Sequence, residues 1–212
     1  MTIKISDLKL ENINFEEVKM VNNHTFIKPT YDHEDFPHLQ FPWLTLSSFG
    51  VPPKSQYTKE DKQRMFIKVP IEAGDVYSQL LNLDDKMRNN IVTLSNLHIF
   101  GSSLVNEYEP LLKYDVKQNK TYIKVKLDTS FQDDKILTEV WHLGDDTKGL
   151  CQFDNIDEFA KCVPFKSEIR MLIKVAKLWV VNKKYGLTLK LNKIQVKPMV
   201  SQPRTTEFLD DD

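Results

Sequence analysis

Apolar and polar side chains alternate along several stretches of this chain, which is the pattern of β-strands with one buried face. In 120–127 the odd-numbered positions from 123 onward are Ile, Val and Leu, and the even-numbered ones from 122 are Tyr and Lys. Residues 168–181 alternate in the same way, and 65–71 and 136–143 form shorter runs. Pro70 cannot donate a backbone hydrogen bond, so it predicts that 65–71 is an edge strand.

The last predicted strand changes phase part-way along its length. After the turn at 182–186, leucines occupy the odd-numbered positions of 187–191, whereas the next apolar residues are Ile194 and Val196. One extra residue near Asn192–Lys193 accounts for this change and predicts a β-bulge. A bulge bends a strand in the way that a closing β-barrel requires.

Two segments have the spacing of α-helices. From Val76 to Met87 the apolar residues recur at intervals of four, three and four, and Asp75 is a suitable N-cap for this helix. A shorter helix is predicted at 154–161. Prolines punctuate residues 1–40, which are predicted to form short strands and loops. The pattern therefore predicts a β-rich (α+β) domain at 1–203, with one or two short helices, followed by a disordered tail.

Composition excludes several classes of protein. With 41% hydrophobic and 28% charged residues the chain has the balance of a soluble globular protein, and 6 glycines are few for phosphate-cradling loops. No apolar run is long enough to span a bilayer, and the N-terminal residues lack the features of a secretory signal. Two cysteines, Cys151 and Cys162, are too few for a disulfide framework and indicate a reducing compartment.

The net charge of −1 conceals a strong asymmetry. Residues 160–204 contain eleven Lys or Arg against one acid, Glu168, which gives this segment a charge of +10. The last eight residues contain four acids and no base. A basic body followed by an acidic tip is typical of proteins that bind polyanions. The alternative is that the lysines only solvate a hairpin.

Most signatures of catalysis are absent. The glycine spacing at 144–149 resembles a phosphate loop, but Leu150 follows where Lys is needed, and there is no GxGxxG, GxSxG or HExxH motif. The densest group of potential metal ligands is 32–35, with His24 and His38 nearby. A polar run between prolines is more often a solvated loop. The sequence therefore predicts neither an enzyme nor a bound metal or cofactor.

Aromatic and basic residues are interleaved on the predicted strands, which is what single-stranded nucleic acid requires for its bases and phosphates. The predicted phosphate-binding residues are Lys68, Lys124, Lys126, Arg170, Lys174, Lys183, Lys184 and Lys190. The predicted stacking residues are Tyr122 and Tyr185, with Phe66 and Trp43 open between stacking and core packing. Trp179 has the same parity as the apolar residues of its strand, which favours the core.

Three blocks of sequence carry a family resemblance: Pro42–Pro53, Arg64–Pro70 and the lysine-tipped hairpin Ala176–Lys190. Together they resemble the single-stranded-DNA-binding proteins of nucleocytoplasmic large DNA viruses. The resemblance implies an OB-like β-barrel with elaborations. It also implies a protein that coats single strands during viral replication, recombination or repair, in the host cytoplasm, with the nucleus and the virion as alternatives.

The acidic tail at 204–212 is predicted to bind replication proteins through an apolar pair set among acids. The residues concerned are Phe208, Leu209, Asp210, Asp211 and Asp212. The predicted ligand is single-stranded DNA, with RNA as the alternative, and self-association is left open. Two other functions remain as alternatives. One is an interaction protein whose basic hairpin docks on an acidic protein, and the other is a metal-dependent nuclease using 32–35.

Overall fold

The computed structural model describes residues 1–21, 24–55, 60–89, 107–143, 148–181 and 183–197. Within them one mixed sheet contains 14 strands. The strands are β1 (Thr2–Lys4), β2 (Ile13–Val21), β3 (His24–Tyr31), β4 (Glu34–Asp35), β5 (His38–Gln40), β6 (Leu44–Thr45), β7 (Phe66–Pro70), β8 (Glu107–Glu109), β9 (Lys113–Asp115), β10 (Lys120–Leu127), β11 (Glu139–Leu143), β12 (Lys148–Leu150), β13 (Glu168–Val181) and β14 (Lys184–Lys197). The α-helices of these described segments are α1 (Asp75–Asn89) and α2 (Ile156–Cys162).

The antiparallel hairpin of β13 and β14 forms the centre of the sheet. Both strands have 14 residues, far more than the usual five or so, and each therefore has room for several partners along its outer edge. The outer edge of β13 pairs with β3, β5 and β6, and that of β14 pairs with β8, β10 and β11. The remaining strands extend these two groups.

The predicted closed β-barrel is not observed. The main strand order runs β1-β5-β13-β14-β10-β7, and no hydrogen-bonded ladder among the described residues joins the group along β13 to the group along β14. The sheet branches because successive short strands share the edges of one long hairpin. The β-rich class, the two helices and the edge position of β7 agree with the sequence analysis.

The strand pattern of the sequence is confirmed most closely in β10 and in the bulge of β14. The structure gives β10 the predicted bounds, and its odd-numbered residues from 123 onward are fully buried. Leu172 pairs with Lys193 and Ile173 pairs with Leu191, so Asn192 is the extra residue of the predicted bulge. The inward phase of β14 changes at this point, as the leucines and the later apolar residues indicated.

A second bulge lies in β13 and was not predicted. Val175 pairs with Leu189 and Lys177 pairs with Thr188, which leaves Ala176 as an extra residue. Beyond it the buried position passes to Leu178, which is fully buried, while the next residue is only half-buried. That next residue is Trp179, so the parity argument that placed it in the core is wrong.

Two predicted segments differ from the structure in length. Within 136–143 the strand begins only at Glu139, and Ile136 makes an isolated bridge to Thr129. In 1–40 the strands β2 and β3 are longer than the expected short strands. Pro29 fits inside β3 because it pairs with Phe15 next to a bulge in β2, where the ladder is already irregular.

The two helices occupy the predicted places. Helix α1 begins at Asp75 itself and buries Leu80, Leu83 and Met87 on one side. Helix α2 is capped by Asn155, whose side chain accepts hydrogen bonds from two backbone amides of the first turn. None of the helices in the described segments is long and apolar enough to cross a membrane.

Helix α2 is tied to its surroundings at both ends. Cys162 at its C-terminal end forms a disulfide with Cys151, which follows β12, and the sequence analysis did not foresee this bond. Near its N-terminal end Asp157 accepts a hydrogen bond of 2.6 Å from Arg64, which also donates to the carbonyl of Pro52. Arg64 is only 3% exposed and anchors the start of β7.

Candidate nucleic-acid interface

A row of basic and aromatic residues crosses the outward side of four adjacent strands. Phe66 of β7 pairs with Lys126 of β10, Lys126 pairs with Lys190 of β14, and Lys190 pairs with Lys174 of β13. Paired residues on neighbouring strands point to the same side of a sheet, so the four side chains share one surface. Three inter-strand steps make this row about 14 Å wide.

Further along β7 and β10 the same surface brings ammonium groups onto aromatic rings. The Lys68 Nζ lies 4.8 Å from the centroid of the Tyr122 ring, and the Lys124 Nζ lies 3.8 Å from that of Phe66. The Tyr122 ring also packs on Phe49, with 4.9 Å between centroids. Cations and rings thus alternate side by side. We define the basic face as the outward residues Lys68, Lys124, Lys126, Lys174, Lys177 and Lys190.

The lysines of the basic face repel one another. Burial, together with the ammonium groups of Lys113 and Lys68, holds the pKa of Lys124 below its ordinary value. Burial and the charges of Lys126 and Lys190 lower the pKa of Lys177 in the same way. Cations held this close favour an added polyanion, because its charge would relieve their repulsion.

Four members of the basic face make no ion pair with the acids of the described segments: Lys68, Lys124, Lys126 and Lys177. Lys190 is partly compensated by Asp128, at 2.5 Å from its Nζ. Lys174 acts electrostatically on Asp35 and lowers the pKa of that carboxyl, after the larger effect of a hydrogen bond from Lys28. The uncompensated charge therefore concentrates on β7, β10 and the region of Lys177.

The predicted residues of the hairpin tip contribute less. Lys183 is exposed in the turn, with a φ of 66°, and Lys184 lies 3.6 Å from Glu107. Tyr185 is fully buried, so the prediction that it stacks on a base is wrong. Its ring packs against Tyr108 and its hydroxyl donates to the carbonyl of Met87, because α1 covers this end of β14.

A second aromatic position lies at the other end of the same surface. The half-buried ring of Trp43 has the Arg170 guanidinium carbon 5.0 Å and the Lys197 Nζ 4.2 Å from its centroid. Two hydrogen bonds from Arg170 to Gln195 hold the guanidinium in place. Arg170 and Lys174 are four residues apart on the outward side of β13, about 13 Å along the strand.

A cleft of about 400 Å³ opens beside the basic face, and one of its two aromatic residues was not predicted from the sequence. Trp179 lines it together with Phe66, Lys124 and Lys126. The Ala176 bulge places Trp179 on the outward side of β13. The alternation of the apolar residues before Ala176 gives no sign of this bulge. Lys177 also follows this bulge; the sequence analysis counted it in the basic segment but did not assign it to the site.

The potential metal ligands at 32–35 form the tight turn of a hairpin instead of a convergent site. Asp32 and His33 have positive φ angles of 50° and 65°, which suits a two-residue hairpin turn. Asp32 accepts a hydrogen bond from Asn12, and Asp35 pairs with Lys28. Within the described segments no group of three or more His, Cys, Asp or Glu side chains could hold a metal ion.

Several predicted residues fall outside the part of the chain that the structure describes. The tail residues Phe208, Leu209, Asp210, Asp211 and Asp212 lie beyond 197, outside the described residues. The side chain of His24, a possible nuclease ligand, also lies outside the described part of the chain. The role assigned to the tail therefore stays a prediction that rests on its charge and sequence.

Comparison with known proteins yields little. The sequence matches no protein-family model, and no curated protein is significantly similar to it. The structure is similar to the crystal structure of gp2.5, a single-stranded DNA binding protein encoded by bacteriophage T7. This similarity covers 79% of this chain and 98% of that chain, at 11% sequence identity and a TM-score of 0.42. A likeness this weak carries no inference, and the viral family resemblance stays a prediction.

Proposed function

We propose that this protein binds single-stranded DNA with little dependence on sequence, through the basic face and the aromatic rings beside it. The observation that carries the proposal is the cluster of uncompensated lysines in contact with Phe66 and Tyr122. Lysine contacts with phosphates are independent of sequence, and every base has a face that can stack on a ring. Duplex DNA hides its base faces and would use only the charge.

The proposed roles assign phosphates to the lysines and bases to the aromatic rings. Lys68, Lys124 and Lys126 hold phosphates, supported by the outward cations of β13 and β14. Tyr122 and Phe66 stack on bases near them, and Trp43 offers a ring at the far end. In the cell the protein coats single strands during viral DNA replication, recombination or repair, in the host cytoplasm. It has no catalytic role in this proposal.

One alternative is that the basic hairpin docks on an acidic protein. The pairing of Lys184 with Glu107 leaves the hairpin tip less positive than the basic face, which favours the surface of the sheet over the tip. A nuclease that uses Asp32, Glu34, Asp35 and the nearby histidines is the other alternative. Asp32 and Asp35 are engaged by the side chains of Asn12 and Lys28.

The test is a fluorescence-polarisation titration with labelled dT oligomers, the matching RNA and duplex DNA at several salt concentrations. If five or six phosphates are neutralised, log affinity against log salt has a slope of about −4, at roughly −0.7 per phosphate. Equal affinity for single strands and duplex, or a flat salt response, would contradict the proposal and favour a protein partner. Cleavage on adding Mg²⁺ or Mn²⁺ that Asp32→Ala abolishes would favour the nuclease.

A further inference from the structure

The geometry points to a nucleotide subsite in the cleft beside the basic face. We propose that this cleft takes one nucleotide unit of a bound single strand, with the base against Trp179 and the phosphate against Lys124 and Lys126. This inference rests on the proposed function and goes beyond it, because it assigns a discrete pocket and a residue that neither the sequence pattern nor the open face indicated.

The backbone is built to present the Trp179 ring in this cleft. The extra residue Ala176 turns Trp179 to the outward side of β13, where it pairs with Gly186 of β14. A Cβ on Gly186 would lie 2.8 Å from Cζ2 of the indole, closer than real Cβ atoms approach. The missing side chain therefore lets the indole lie directly on the strand. A ring held in this way is ready to stack without first losing rotamer freedom.

The lining of the cleft has the chemistry of a nucleotide. Phe66 of β7 and Trp179 of β13 supply two aromatic side chains. Lys124 and Lys126 supply positive charge from β10, the strand next to β7. Base–aromatic stacking and lysine–phosphate contacts are the two terms of single-strand binding, and here both occur within one cavity. Its volume of about 400 Å³ is at the small end of the range for ligand pockets, which suits one nucleotide.

The acidic group in the cleft is not a barrier to this ligand. Glu109 is paired with Lys113. The hydrogen bond that Lys113 donates, together with the charges of nearby lysines, lowers the pKa of the Glu109 carboxyl. The two charges offset each other, which leaves Lys62, Lys124 and Lys126 to set the sign of the cleft. Burial and, after it, the charges of nearby lysines lower the pKa of Lys124, and a phosphate placed beside Lys124 opposes both effects.

The test compares two ligands of equal charge, a labelled dT dodecamer and a dodecamer whose sugars all lack bases. Trp179→Ala is expected to weaken binding of the dT dodecamer by about 5- to 150-fold, the range for one lost base stack, and to leave the abasic dodecamer unchanged. Lys124→Ala is expected to weaken both ligands, since it removes a phosphate contact. Trp179→Phe retains a ring and should recover most of the loss.

Tyr114→Ala is the matched control. Tyr114 is 59% exposed on β9 and pairs with Thr121, the neighbour of Tyr122, so its side chain belongs to the opposite side of the sheet. This variant should bind both ligands like the wild type. If Trp179→Ala weakens binding of both ligands equally, or does not weaken binding of the dT dodecamer, the proposed nucleotide subsite is overturned.

A second readout does not depend on truncating Trp179. The chain has 3 tryptophans, and replacing Trp43 and Trp141 by Phe leaves Trp179 as the sole indole. Its emission should be quenched by the dT dodecamer and not by the abasic one. Absence of quenching while polarisation still reports binding would overturn the cleft and leave the proposed function standing. Failure of the wild type to bind any single strand would overturn both.

Discussion

At the scale of single residues, two tyrosines that have lysine close by in the sequence occupy different environments in this protein. Tyr122 follows the alternation of β10, lies half-buried beside the Lys68 ammonium and stays on the outward surface. Tyr185 also follows lysines in the sequence, yet α1 covers it completely. Both tyrosines have lysine within two residues in the sequence, so the nearby lysines do not explain the difference, which lies in what packs over each strand.

Alanine at these two tyrosines is expected to affect different properties. Tyr122→Ala should weaken binding to a dT dodecamer by roughly 1–3 kcal/mol through the lost stacking, with the salt slope nearly unchanged. Tyr185→Ala should lower the free energy of unfolding by about 3–5 kcal/mol because it empties a buried site. Urea unfolding and polarisation titrations measure the two effects. A large stability loss in Tyr122→Ala with intact binding would show that Tyr122 belongs to the core.

The lowered pKa of Lys124 gives binding a pH dependence with a defined sign. Burial and the neighbouring ammonium groups make the free protein release this proton below the ordinary value of 10.5, and a bound phosphate favours taking it back. Affinity for a dA dodecamer, which has no base that ionises in alkali, should therefore fall as pH rises from neutrality toward about 10.

Lys124→Arg is the control for this pH effect, since an arginine keeps its charge throughout the range. This variant should lose less affinity than the wild type at alkaline pH, measured as the ratio of Kd values between pH 7 and about 10. Identical pH profiles for the two proteins would contradict a role for Lys124 in phosphate binding.

At the scale of elements, helix α1 is fastened by a buried carboxylate. Asp84 is 1% exposed and accepts hydrogen bonds from the Tyr108 hydroxyl at 2.7 Å and from the backbone amides of Leu111 and Leu112 at 2.9 and 3.2 Å. Burial raises the pKa of the Asp84 carboxyl despite these donors. The helix spacing predicted α1 but gave no sign that Asp84 is buried, because no intra-helical pattern shows what an acid contacts.

Asp84→Asn tests this arrangement. The amide keeps the shape of the side chain but replaces one acceptor oxygen with a donor, which leaves one of the three donors without a partner. The free energy of unfolding should fall by about 1–3 kcal/mol, measured by urea denaturation. Asp85→Asn is the matched control, because Asp85 is about half exposed and pairs with the exposed side chain of Arg88; its effect should stay within about 0.5 kcal/mol. Similar losses in both variants would contradict the role of Asp84.

At the scale of the whole molecule, charge is separated although the net charge is only −1. The basic segment contributes both long strands of the sheet, and pairing brings its lysines beside those of β7 and β10. The acidic tail follows the same segment after a few residues. A tethered acidic peptide near a cationic surface competes with an anionic ligand, at an effective concentration that reaches millimolar for short linkers.

Removal of the residues after Pro203 should therefore tighten binding of a dT dodecamer several-fold at low salt and little at high salt. Added salt suppresses the competition because charges are screened beyond about 10 Å at 0.1 M. Polarisation titrations of the full chain and the truncated chain at two salt concentrations measure the effect. Replacing the four tail acids by their amides is the control and should reproduce the truncation. Unchanged low-salt affinity in both would assign the tail no part in binding.

By itself, the sequence determined the features that depend on near neighbours in the chain. The bounds of β10, the bulge at Asn192 and helix α1 followed from the period of apolar residues, because strand and helix geometry impose that period locally. The basic segment and the interleaving of lysine with aromatic residues were also visible. These features were enough to predict a β-rich protein and to select Lys68, Tyr122 and Lys124 for the site.

Only the tertiary structure decided which of these residues meet and which are covered. The sheet branches instead of closing because two long strands each serve several partners, and pairing between segments distant in the chain leaves no local period. Trp179 is presented by a bulge together with a glycine on another strand, and Tyr185 is buried by a helix about 100 residues away. Burial depends on contacts across the fold, so alternation along one strand could not distinguish a ring that stacks from a ring that packs.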